Sequence, residues 1–529
     1  MPTSFLNLAK LCDKLEKISK TKEKIALLSN FLRSLSPNEI KPAVFLIIGT
    51  PFAESESQTL DISWRSILET NYTAKQTTLF NQPLTIRAVH EYFSKLAQIS
   101  GSGARKKRKR LLEMLFRESS PLERKFLVRM ILGEMRHGVA KGLMIKAIAE
   151  AAHLDYSLIK RLSAIYGNIG EIARLALVGG EEGLSKIEVA PFTPIKPMLA
   201  ENLDSLDELF KKPVSPMAIE YKYDGVRVQI HKKADKVHIY SRRLKDITSS
   251  FPEIADLIKK TIPNHSCILD GEIIAIRRND QRPLPFQELM RRFKRIHEVQ
   301  RLRQEIPVQL YLFDILLLDD KILFDYPYQE RWNILATICK GLTLAYRIIS
   351  SEKEEITRFY QAALAAGHEG ILLKKLNSPY SPGERKKEWL KLKEAIHADL
   401  VIIAADWGSG RRTGWLSNYH LAALDPLKGT FHEVGKTFKG LTDEEFQDMT
   451  ANLQKIKTYE TQYTVYVKPQ IVVEVAFNEI QKSPQYPAGY ALRFARIKRI
   501  RLDKDPSEVT SLDEIAYLYE RQFEKKARI

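Results

Sequence analysis

The sequence predicts three domains: an all-α region over residues 1–190, an α+β domain over 191–397 and a small β-barrel over 398–529. Its 529 residues are more than one hydrophobic core usually serves. The apolar pattern also changes from helical spacing to strand alternation near residue 217. A proline-spaced segment, APFTPIKPMLA at 190–200, precedes that change and is predicted to be a linker.

Helices are predicted throughout the first region. Phe126, Leu127, Met130 and Ile131 recur at the spacing of one apolar helix face. Segment 101–110, GSGARKKRKR, is a glycine–serine turn followed by six consecutive basic residues. Backbone N–H groups and cations at such a turn suit phosphate, although the basic hexamer is equally typical of a nuclear localisation signal.

Positive charge is concentrated in this region. The chain has 83 Lys and Arg against 65 Asp and Glu, a net charge of +18. Residues 101–146 contain thirteen Lys and Arg against four Asp and Glu, so they hold half of the excess. That concentration indicates a polyanionic partner, nucleic acid first, with a solvated helix face as the alternative.

Several classes of protein are excluded by the sequence. No apolar run approaches the roughly 20 residues of a membrane helix, and the N-terminus carries charges where a secretion signal needs an apolar block. Cys12, Cys267 and Cys339 are too few and too far apart for a disulfide framework or a four-cysteine zinc site. We therefore expect a cytoplasmic location.

Strands dominate after residue 217. Residues 226–231 alternate apolar and polar side chains, and KVHIYSRR returns after a polar turn, which predicts a β-hairpin. Further strands are predicted at CILDGEIIAI, VQLYLFDILLLD, EGILLKKL and EWLKLKE. After AIHADLVIIAADW come the short strands YHLAALD, FHEVGKTF, TVYVKP and IVVEVAFNEI. This last part fits a small barrel of the oligonucleotide-binding type.

The stretch EYKYDGVR, residues 220–227, raises the question of whether Lys222 is a solvated lysine or a nucleophile. The letters K-x-D-G alone are weak, since they occur by chance in roughly one chain in fifteen of this length. A lysine amine becomes nucleophilic when burial or neighbouring cations lower its pKa from about 10.4. Arg227 and lysines from elsewhere are expected to hold Lys222 neutral.

Acids and paired lysines accumulate further along the chain. LDGEI places Asp270 and Glu272 on one strand face, and HEGILLKK adds Glu369. Carboxylates that converge from separate strands can hold Mg²⁺, although each of them alone is more typical of a solvated strand end. WLKLK places Lys391 and Lys393 on one face, where they repel each other unless an anion lies between them.

The ordered series EYKYDGVR, SRR, LDGEI, YLFDI, HEGILLK, WLKLK and RFARIKRIRLDK resembles the motif series of ATP-dependent DNA ligases, which belong to the lysine-AMP nucleotidyltransferases. It spans residues 217–505 in the family's order. GSGRRTGWLSNYHLAALD at 408–425, together with the basic segment after residue 100, resembles the bacterial and archaeal branch. The similarity thus extends over nearly the whole chain.

The resemblance implies an all-α DNA-binding domain, an α+β nucleotidyltransferase (adenylation) domain and a C-terminal OB-fold β-barrel, in that order. It implies an enzyme that seals 5′-phosphate/3′-hydroxyl nicks through lysyl-AMP and DNA-adenylate, with ATP and Mg²⁺, in DNA replication, repair or recombination. The partners would be ATP and nicked duplex DNA, with no membrane. The enzyme would be a monomer, and recruitment by a sliding clamp cannot be read from the sequence.

Site roles follow from the same resemblance. Lys222 would attack the α-phosphate of ATP. The residues implied to contact the nucleotide or the nick are Glu220, Arg227, Arg242, Glu272, Phe313, Lys391 and Lys393. Within this set, Glu220 would read the adenine amino group, Phe313 would stack on the ring, and Arg242 would meet the nick termini. Phe313 by itself is equally typical of a core residue.

The remaining roles concern the metal, DNA and closure. Metal contacts are implied for Asp224, Glu272 and Glu369, and backbone phosphate contacts for Arg105, Lys106, Lys107 and Arg108. Arg501, Asp503 and Lys504 match the element that closes over the triphosphate, with a hinge near residues 395–400. The resemblance assigns no firm role to Arg493 or Arg496.

Three rival functions are less consistent with the sequence. An NAD-dependent ligase would need its own nicotinamide-reading module and usually a four-cysteine zinc site. An mRNA-capping enzyme or RNA ligase would lack the basic helical region at 1–190. A non-catalytic nucleic-acid scaffold would leave the joint occurrence of Lys222, the two acids and the two paired lysines unexplained.

Overall fold

We describe a computed structural model of the chain, in which residues 2–53, 56, 60, 62–70, 83–101, 103–293, 298–394 and 396–522 are placed. Part of the predicted hinge, residue 395, and Ser102 of the glycine–serine turn lie outside these residues. Within the placed part of the chain, no helix is long and apolar enough to span a membrane.

The N-terminal region is helical. Its helices are α1 (Phe5–Lys17), α2 (Thr21–Arg33), α3 (Pro37–Ile48), α4 (Trp64–Leu68), α5 (Ile86–Gln98), α6 (Ala104–Glu118), α7 (Pro121–Leu132), α8 (Lys141–Ala152), α9 (Tyr156–Tyr166) and α10 (Ile169–Ser185). Local sequence explains the ends of α7, which begins at a capping box of Ser120 and Glu123 and ends at Gly133. The buried faces of these helices share one hydrophobic core.

The central region contains two sheets, each of five strands among the placed residues. Their strands are β1 (Leu199–Leu203), β2 (Met217–Lys222), β3 (Val226–Lys233), β4 (Lys236–Ser241), β5 (Cys267–Ala275), β6 (Val308–Leu318), β7 (Lys321–Ile322), β8 (Arg347–Ser350), β9 (Gly370–Lys375) and β10 (Arg385–Lys393). One sheet has the order β1-β10-β9-β2-β8 and the other the order β4-β3-β5-β6-β7. The predicted hairpin is confirmed, because β3 and β4 pair antiparallel from Val228–Ser241 to Lys233–Lys236.

Helices connect and cover these sheets: α11 (Leu206–Leu209), α12 (Pro252–Thr261), α13 (Phe286–Arg292), α14 (Val299–Glu305), α15 (Tyr328–Ile338) and α16 (Lys353–Ala365). Separate apolar cores lie against each sheet. Residues from β2, β9 and β10 of one sheet and β3, β5 and β6 of the other meet at a cleft between them.

The C-terminal region consists mainly of strands. They are β11 (Ile396–Trp407), β12 (Leu416–Asp425), β13 (Thr430–Thr437), β14 (Lys457–Glu460), β15 (Thr464–Val467), β16 (Val472–Phe477), β17 (Glu479–Lys482), β18 (Tyr490–Arg493) and β19 (Arg496–Ile500), with helices α17 (Asp443–Lys455) and α18 (Leu512–Arg521). Strand β11 pairs with β12 on one side, and with β16 and then β15 on the other. The sheet curls around this long strand and encloses an apolar core.

These regions confirm the predicted fold class: a helical N-terminal region, a central α+β domain and a C-terminal strand-rich domain with a curled sheet. The exact domain borders remain predictions. The border predicted at 397/398 falls inside β11, which starts at Ile396.

The proline-spaced segment is packed against the central domain, contrary to the prediction of a linker. The amide of Phe192 donates to Nδ1 of His231 over 2.8 Å, and the amide of Ile195 donates to Oε1 of Gln229 over 2.7 Å. Both acceptors lie on β3, where Gln229 and His231 are buried. The polar residues of that strand therefore bind the segment that the sequence pattern left exposed.

Candidate active site

A cleft of about 360 Å³ lies between the two central sheets. Every residue predicted for the catalytic, nucleotide and metal sites lines it: Glu220, Lys222, Asp224, Arg227, Arg242, Glu272, Phe313, Glu369, Lys391 and Lys393. The walls also include Arg385 and Trp389, which the sequence interpretation did not select. Seven separate sequence motifs thus supply one cavity.

Lys222 is the last residue of β2, and the strand behind it is rigid. Met217, Ala218 and Ile219 are buried, and β2 pairs with β9 as far as Lys222 opposite Gly370. The amide of Glu369 donates to the carbonyl oxygen of Lys222 over 3.0 Å. The backbone therefore fixes the relative position of these two residues before any side-chain contact is made.

The side chain of Lys222 forms an ion pair with Glu369. Its Nζ lies 2.7 Å from Oε2 of Glu369, and Nζ of Lys393 contacts the same oxygen. Burial alone would lower the pKa of Lys222, but the carboxylates of Glu369, Glu272 and Asp224 outweigh it and raise that pKa. The prediction that cations hold Lys222 neutral is therefore wrong for this structure.

Two glycines permit the close approach of backbones around the cleft. A Cβ on Gly225 of K-x-D-G would lie 2.2 Å from the carbonyl oxygen of Ile273. Gly370 has φ +145°, and a Cβ there would lie 2.2 Å from the carbonyl oxygen of Leu392. Side chains are excluded at both positions, which explains why a glycine follows Asp224 and another follows Glu369.

Cations line the wall opposite Lys222. Lys391 and Lys393 point to one face of β10, and Arg242 and Arg385 lie near them. Burial and then the charges of Arg385 and Lys393 lower the pKa of Lys391 to about 8. Within the placed part of the chain, neither Lys391 nor Arg242 has an ion-pair partner, whereas Lys393 contacts Glu369. A further anion beside Lys391 and Arg242 would be stabilised by both.

Arg227 is held by an acid that the sequence interpretation left without a role. Its Nε and Nη2 donate to the two oxygens of Asp270 over 3.0 and 2.6 Å, and Nη1 donates to the carbonyl of Met198 over 2.7 Å. The hydroxyl of Tyr380 donates to Asp270 over 2.8 Å. Asp270 therefore fixes the guanidinium at the cleft wall.

Glu220 is 1% exposed and already bound by two donors. The Tyr328 hydroxyl donates to its Oε1, and Nζ of Lys374 lies 2.7 Å from its Oε2. Phe313 lies beside this group, with its ring centroid 4.6 Å from Nζ of Lys374. Neither Lys374 nor Tyr328 was among the residues selected from the sequence.

The predicted metal residues lie near one another without forming a closed site. No group of three or more His, Cys, Asp or Glu side chains in the placed residues is arranged to hold a metal ion. Burial raises the pKa of Glu272 to about 8, and no hydrogen bond or ion pair of its carboxylate is seen. An acid in this state suits a cation whose other ligands are water and phosphate, as is usual for Mg²⁺.

The predicted closure residues lie away from the cleft. Arg501 donates from Nη1 to both oxygens of Asp399 over 3.1 and 3.0 Å, and Nζ of Lys504 lies 2.7 Å from the same carboxylate. Arg501 also pairs with Asp503. The C-terminal residues that line the cleft are Glu479, Arg493 and Phe494.

The predicted DNA-contacting residues lie in the first turns of α6. Lys106 and Lys107 are exposed, and no ion pair of either is seen within the placed residues. Arg105 pairs with Glu69 at 2.6 Å, and Arg108 donates to the carbonyl of Ile99 over 2.8 Å. The two lysines are thus accessible, whereas both arginines brace the helix against the segment before it.

Three family models of known proteins match the sequence, and one of them spans the domain that contains this cleft. The family model of the ATP dependent DNA ligase domain matches residues 197–393, that of the DNA ligase N terminus matches 4–70 and 66–149, and that of the ATP dependent DNA ligase C terminal region matches 412–504. The chain belongs to the ATP-dependent DNA ligase family.

Similar ligases cover the whole chain. "DNA ligase 1" of Korarchaeum cryptofilum is 41% identical over 98% of both chains, and "DNA ligase" of Thermococcus onnurineus is 37% identical over 99% of both. A "Probable DNA ligase" of the bacterium Sorangium cellulosum is 38% identical over 95% of this chain and 92% of its own. The predicted family resemblance is therefore confirmed over the full length.

The solved structure titled "Pmar-Lig_Pre." has the same fold. It superimposes with a TM-score of 0.61 over 94% of this ligase and 99% of its own chain, at 19% identity. At that identity the likeness concerns the fold alone. The assignment of individual site residues rests on the cleft described above.

Proposed function

We propose that the cleft around Lys222 carries out the covalent chemistry of an ATP-dependent DNA ligase. One observation carries the proposal: Lys222 at the end of β2 shares one cleft with Lys391 and Arg242, and neither of these two cations has an ion-pair partner among the placed residues. The phosphates of a nucleotide would supply an anion for both. Phosphoryl transfer depends on such positioning and charge more than on acid–base machinery.

Three transfers would follow. The ammonium of Lys222 first gives one proton to water. The lone pair of its Nζ then attacks the α-phosphorus of ATP, the bond to pyrophosphate breaks, and the nitrogen loses a second proton to water. A 5′-phosphate oxygen at the nick then attacks the same phosphorus, breaking the P–N bond and forming DNA-adenylate. Finally the 3′-hydroxyl oxygen attacks the 5′-phosphate, loses its proton and expels AMP.

The nucleotide base would lie on the side of Glu220. A carboxylate accepts hydrogen bonds only, so Glu220 would accept from the 6-amino group of adenine. Phe313, at the same wall, would stack on the ring. Arg227, fixed by Asp270, would contact the ribose and phosphate with the one N–H group that its four hydrogen bonds to the placed residues leave.

Phosphate groups would lie between Lys222 and β10. Lys391 and Lys393 would bind the α-phosphate oxygens, and the charge of a phosphate would compete with Glu369 for Lys222 and Lys393. That exchange would free the side chain of Lys222 from its ion pair, and the ammonium must then give up one proton before its nitrogen can attack. Arg242, exposed after β4, would meet the nick termini.

Magnesium would be held by Glu272 and Glu369, with Asp224 nearby, and by phosphate and water. The residues fit because Glu272 is an acid at the cleft wall for which the placed residues show no hydrogen bond or ion pair. When bound, the ion would neutralise charge on the phosphate oxygens. The protein's own contribution is to hold these two carboxylates on β5 and beside β9, on either side of Lys222.

Closure would require a change at Asp399. Arg501 and Lys504 can reach a triphosphate only after their ion pairs with Asp399 are exchanged for phosphate. In this structure, the C-terminal domain instead contributes Arg493 and Phe494 to the lining of the cleft. The C-terminal domain would thus present different faces to ATP and to DNA.

The partner would be nicked duplex DNA, held by the basic helical region. Lys106 and Lys107 would contact backbone phosphates together with Arg105 and Arg108, without base readout. We expect a monomer in the cytoplasm. The burial of all three cysteines as free thiols agrees with a reducing compartment.

A nick-sealing assay tests this proposal. With Mg²⁺ and a nicked duplex, ATP should support sealing, whereas NAD and GTP should not. An NAD-dependent ligase or a capping-type enzyme would give the opposite nucleotide preference. A non-catalytic scaffold would bind the duplex and seal nothing with any nucleotide.

A further inference from the structure

Behind Glu220, Lys374 is buried among three aromatic rings. Its side chain is fully buried, and its Nζ lies 4.4 Å from the ring centroid of Trp389, 4.6 Å from that of Phe313 and 4.7 Å from that of Tyr328. An ammonium that faces aromatic rings at these distances is stabilised by their negative faces. The ammonium contacts one carboxylate, that of Glu220, at 2.7 Å.

Glu220 is consequently held on both of its oxygens. Lys374 contacts Oε2, and the buried hydroxyl of Tyr328 donates to Oε1. An ionised carboxylate has about four lone-pair sites and no proton to donate. The two donors therefore leave acceptor sites unused on a carboxylate that also lines the cleft.

Sheet register accounts for this contact. Glu220 lies opposite Leu372, and Ala218 lies opposite Lys374, so that Lys374 is the diagonal neighbour of Glu220 on the same face. The other buried acid nearby, Asp314, is satisfied by Arg331 through two bonds of 2.8 and 2.9 Å. In the placed residues, Lys374 is thus the cation in contact with Glu220.

We propose that Lys374, together with Tyr328, is a positioning residue for adenine recognition: the ion pair and the hydroxyl hold the Glu220 carboxylate in one orientation, so that its free sites accept an amino group. The inference rests on the proposed function, in which Glu220 reads adenine. Removal of one partner of a buried ion pair leaves the other without its contact. The Glu220 carboxylate would then no longer be fixed toward the cleft and would select a donor less strongly.

Selection of the 6-amino group can be measured directly. Full-length protein is labelled under single-turnover conditions with ATP or with purine riboside triphosphate, which has hydrogen in place of the amino group. One hydrogen bond to a charged group corresponds to a preference of about 10- to 100-fold. We expect this preference in the wild type, and a fall to about threefold or less in Lys374→Met and in Tyr328→Phe.

Two further variants serve as references. Lys375→Met, which removes the exposed lysine next along β9, should keep the wild-type preference. The double variant Glu220→Ala/Lys374→Met removes both charges together, which avoids a buried unpaired group, and should show no preference. In Lys374→Met, the loss should affect KM for ATP more than the rate at saturation.

The outcomes separate two failures. If the double variant still prefers ATP, Glu220 does not read adenine and that part of the proposed function is wrong. If the double variant loses the preference while Lys374→Met and Tyr328→Phe retain it, the positioning role is wrong and adenine recognition by Glu220 is supported. A purely structural role would slow both triphosphates equally and leave their ratio unchanged. Should Lys374→Met fail to fold, Tyr328→Phe decides by the same ratio.

Discussion

One carboxylate oxygen, Oε2 of Glu369, contacts both Lys222, at 2.7 Å, and Lys393. The two lysines keep the pKa of Glu369 well below its usual range, although burial acts to raise it. The proposed nucleophile is therefore held as a cation at rest. Binding of another anion beside Lys391 and Lys393 would compete for this ion pair, and attack also requires that Lys222 lose one proton.

Glu369→Gln removes the shared negative charge and leaves Lys222, Lys391 and Lys393 facing one another. We expect lysyl-AMP formation to slow by about 10- to 100-fold, because the proposed magnesium site loses one of its two carboxylates and with it charge stabilisation at the reacting phosphate. The free energy of unfolding should fall by only about 1 kcal/mol, because solvent screens these partly exposed side chains. Rapid-quench labelling and urea unfolding measure the two effects. Glu354→Gln on the exposed face of α16 is the control, and an unchanged labelling rate would contradict the role of Glu369.

We expect KM for ATP to depend on pH through Lys391. Its pKa is lowered to about 8, so it is charged below that pH and loses its charge above it. KM for ATP should therefore rise as pH increases through about 8, because the α-phosphate loses a cation. Lys391→Arg keeps its charge and should move this rise to higher pH. Self-labelling over a range of ATP concentrations at each pH measures it, and identical profiles for both proteins would exclude Lys391 as the titrating group.

Gly370→Ala should destabilise the sheet that carries Glu369. The new Cβ would lie 2.2 Å from the carbonyl oxygen of Leu392, at a φ of +145°. We expect a loss of more than about 2 kcal/mol in the free energy of unfolding. Gly142→Ala in helix α8, where a Cβ meets nothing within 4 Å, should be neutral or slightly stabilising. Equal midpoints for the two variants in urea unfolding would show that β9 can move away from β10.

Lys106→Ala/Lys107→Ala tests the DNA surface. Each phosphate contact contributes about 0.9 to the slope of log affinity against log salt for duplex DNA. Loss of both contacts should reduce the magnitude of that slope by roughly 1.8. A double variant of the exposed Lys10 and Lys22, outside α6, removes the same charge and should leave the slope unchanged. Equal slopes in the two double variants would place the DNA elsewhere.

The sequence was sufficient for the fold class and for the residues of the cleft. Strand alternation located β3, β5, β6, β9 and β10, and residues at their ends, such as Lys222 and Glu369, converge as expected. Local periodicity indicates which face of a strand each residue occupies. Residues on the same face at the ends of neighbouring strands can therefore be expected to lie close together.

The sequence did not predict what occupies the space behind those strands. Lys374 follows Leu373 in an apolar strand beside a second lysine, and only the register of β9 on β2 places it next to Glu220. The role of Asp270 could not be read from the sequence either, because its ion pair with Arg227 depends on β3 lying beside β5. The contact of Arg501 with Asp399 depends on strands far apart in sequence. Long-range register of this kind is not encoded in a local pattern.

The central claim is that Lys222 carries AMP. The most direct measurement is labelling of the full-length protein with [α-³²P]ATP and Mg²⁺, followed by identification of the labelled residue by mass spectrometry, in wild type and in Lys222→Ala. We expect a phosphoramidate on Lys222 in the wild type. We expect no label in the variant, whose binding to a nicked duplex is preserved. Label on another residue, or a Lys222→Ala protein that still labels and seals, would contradict it.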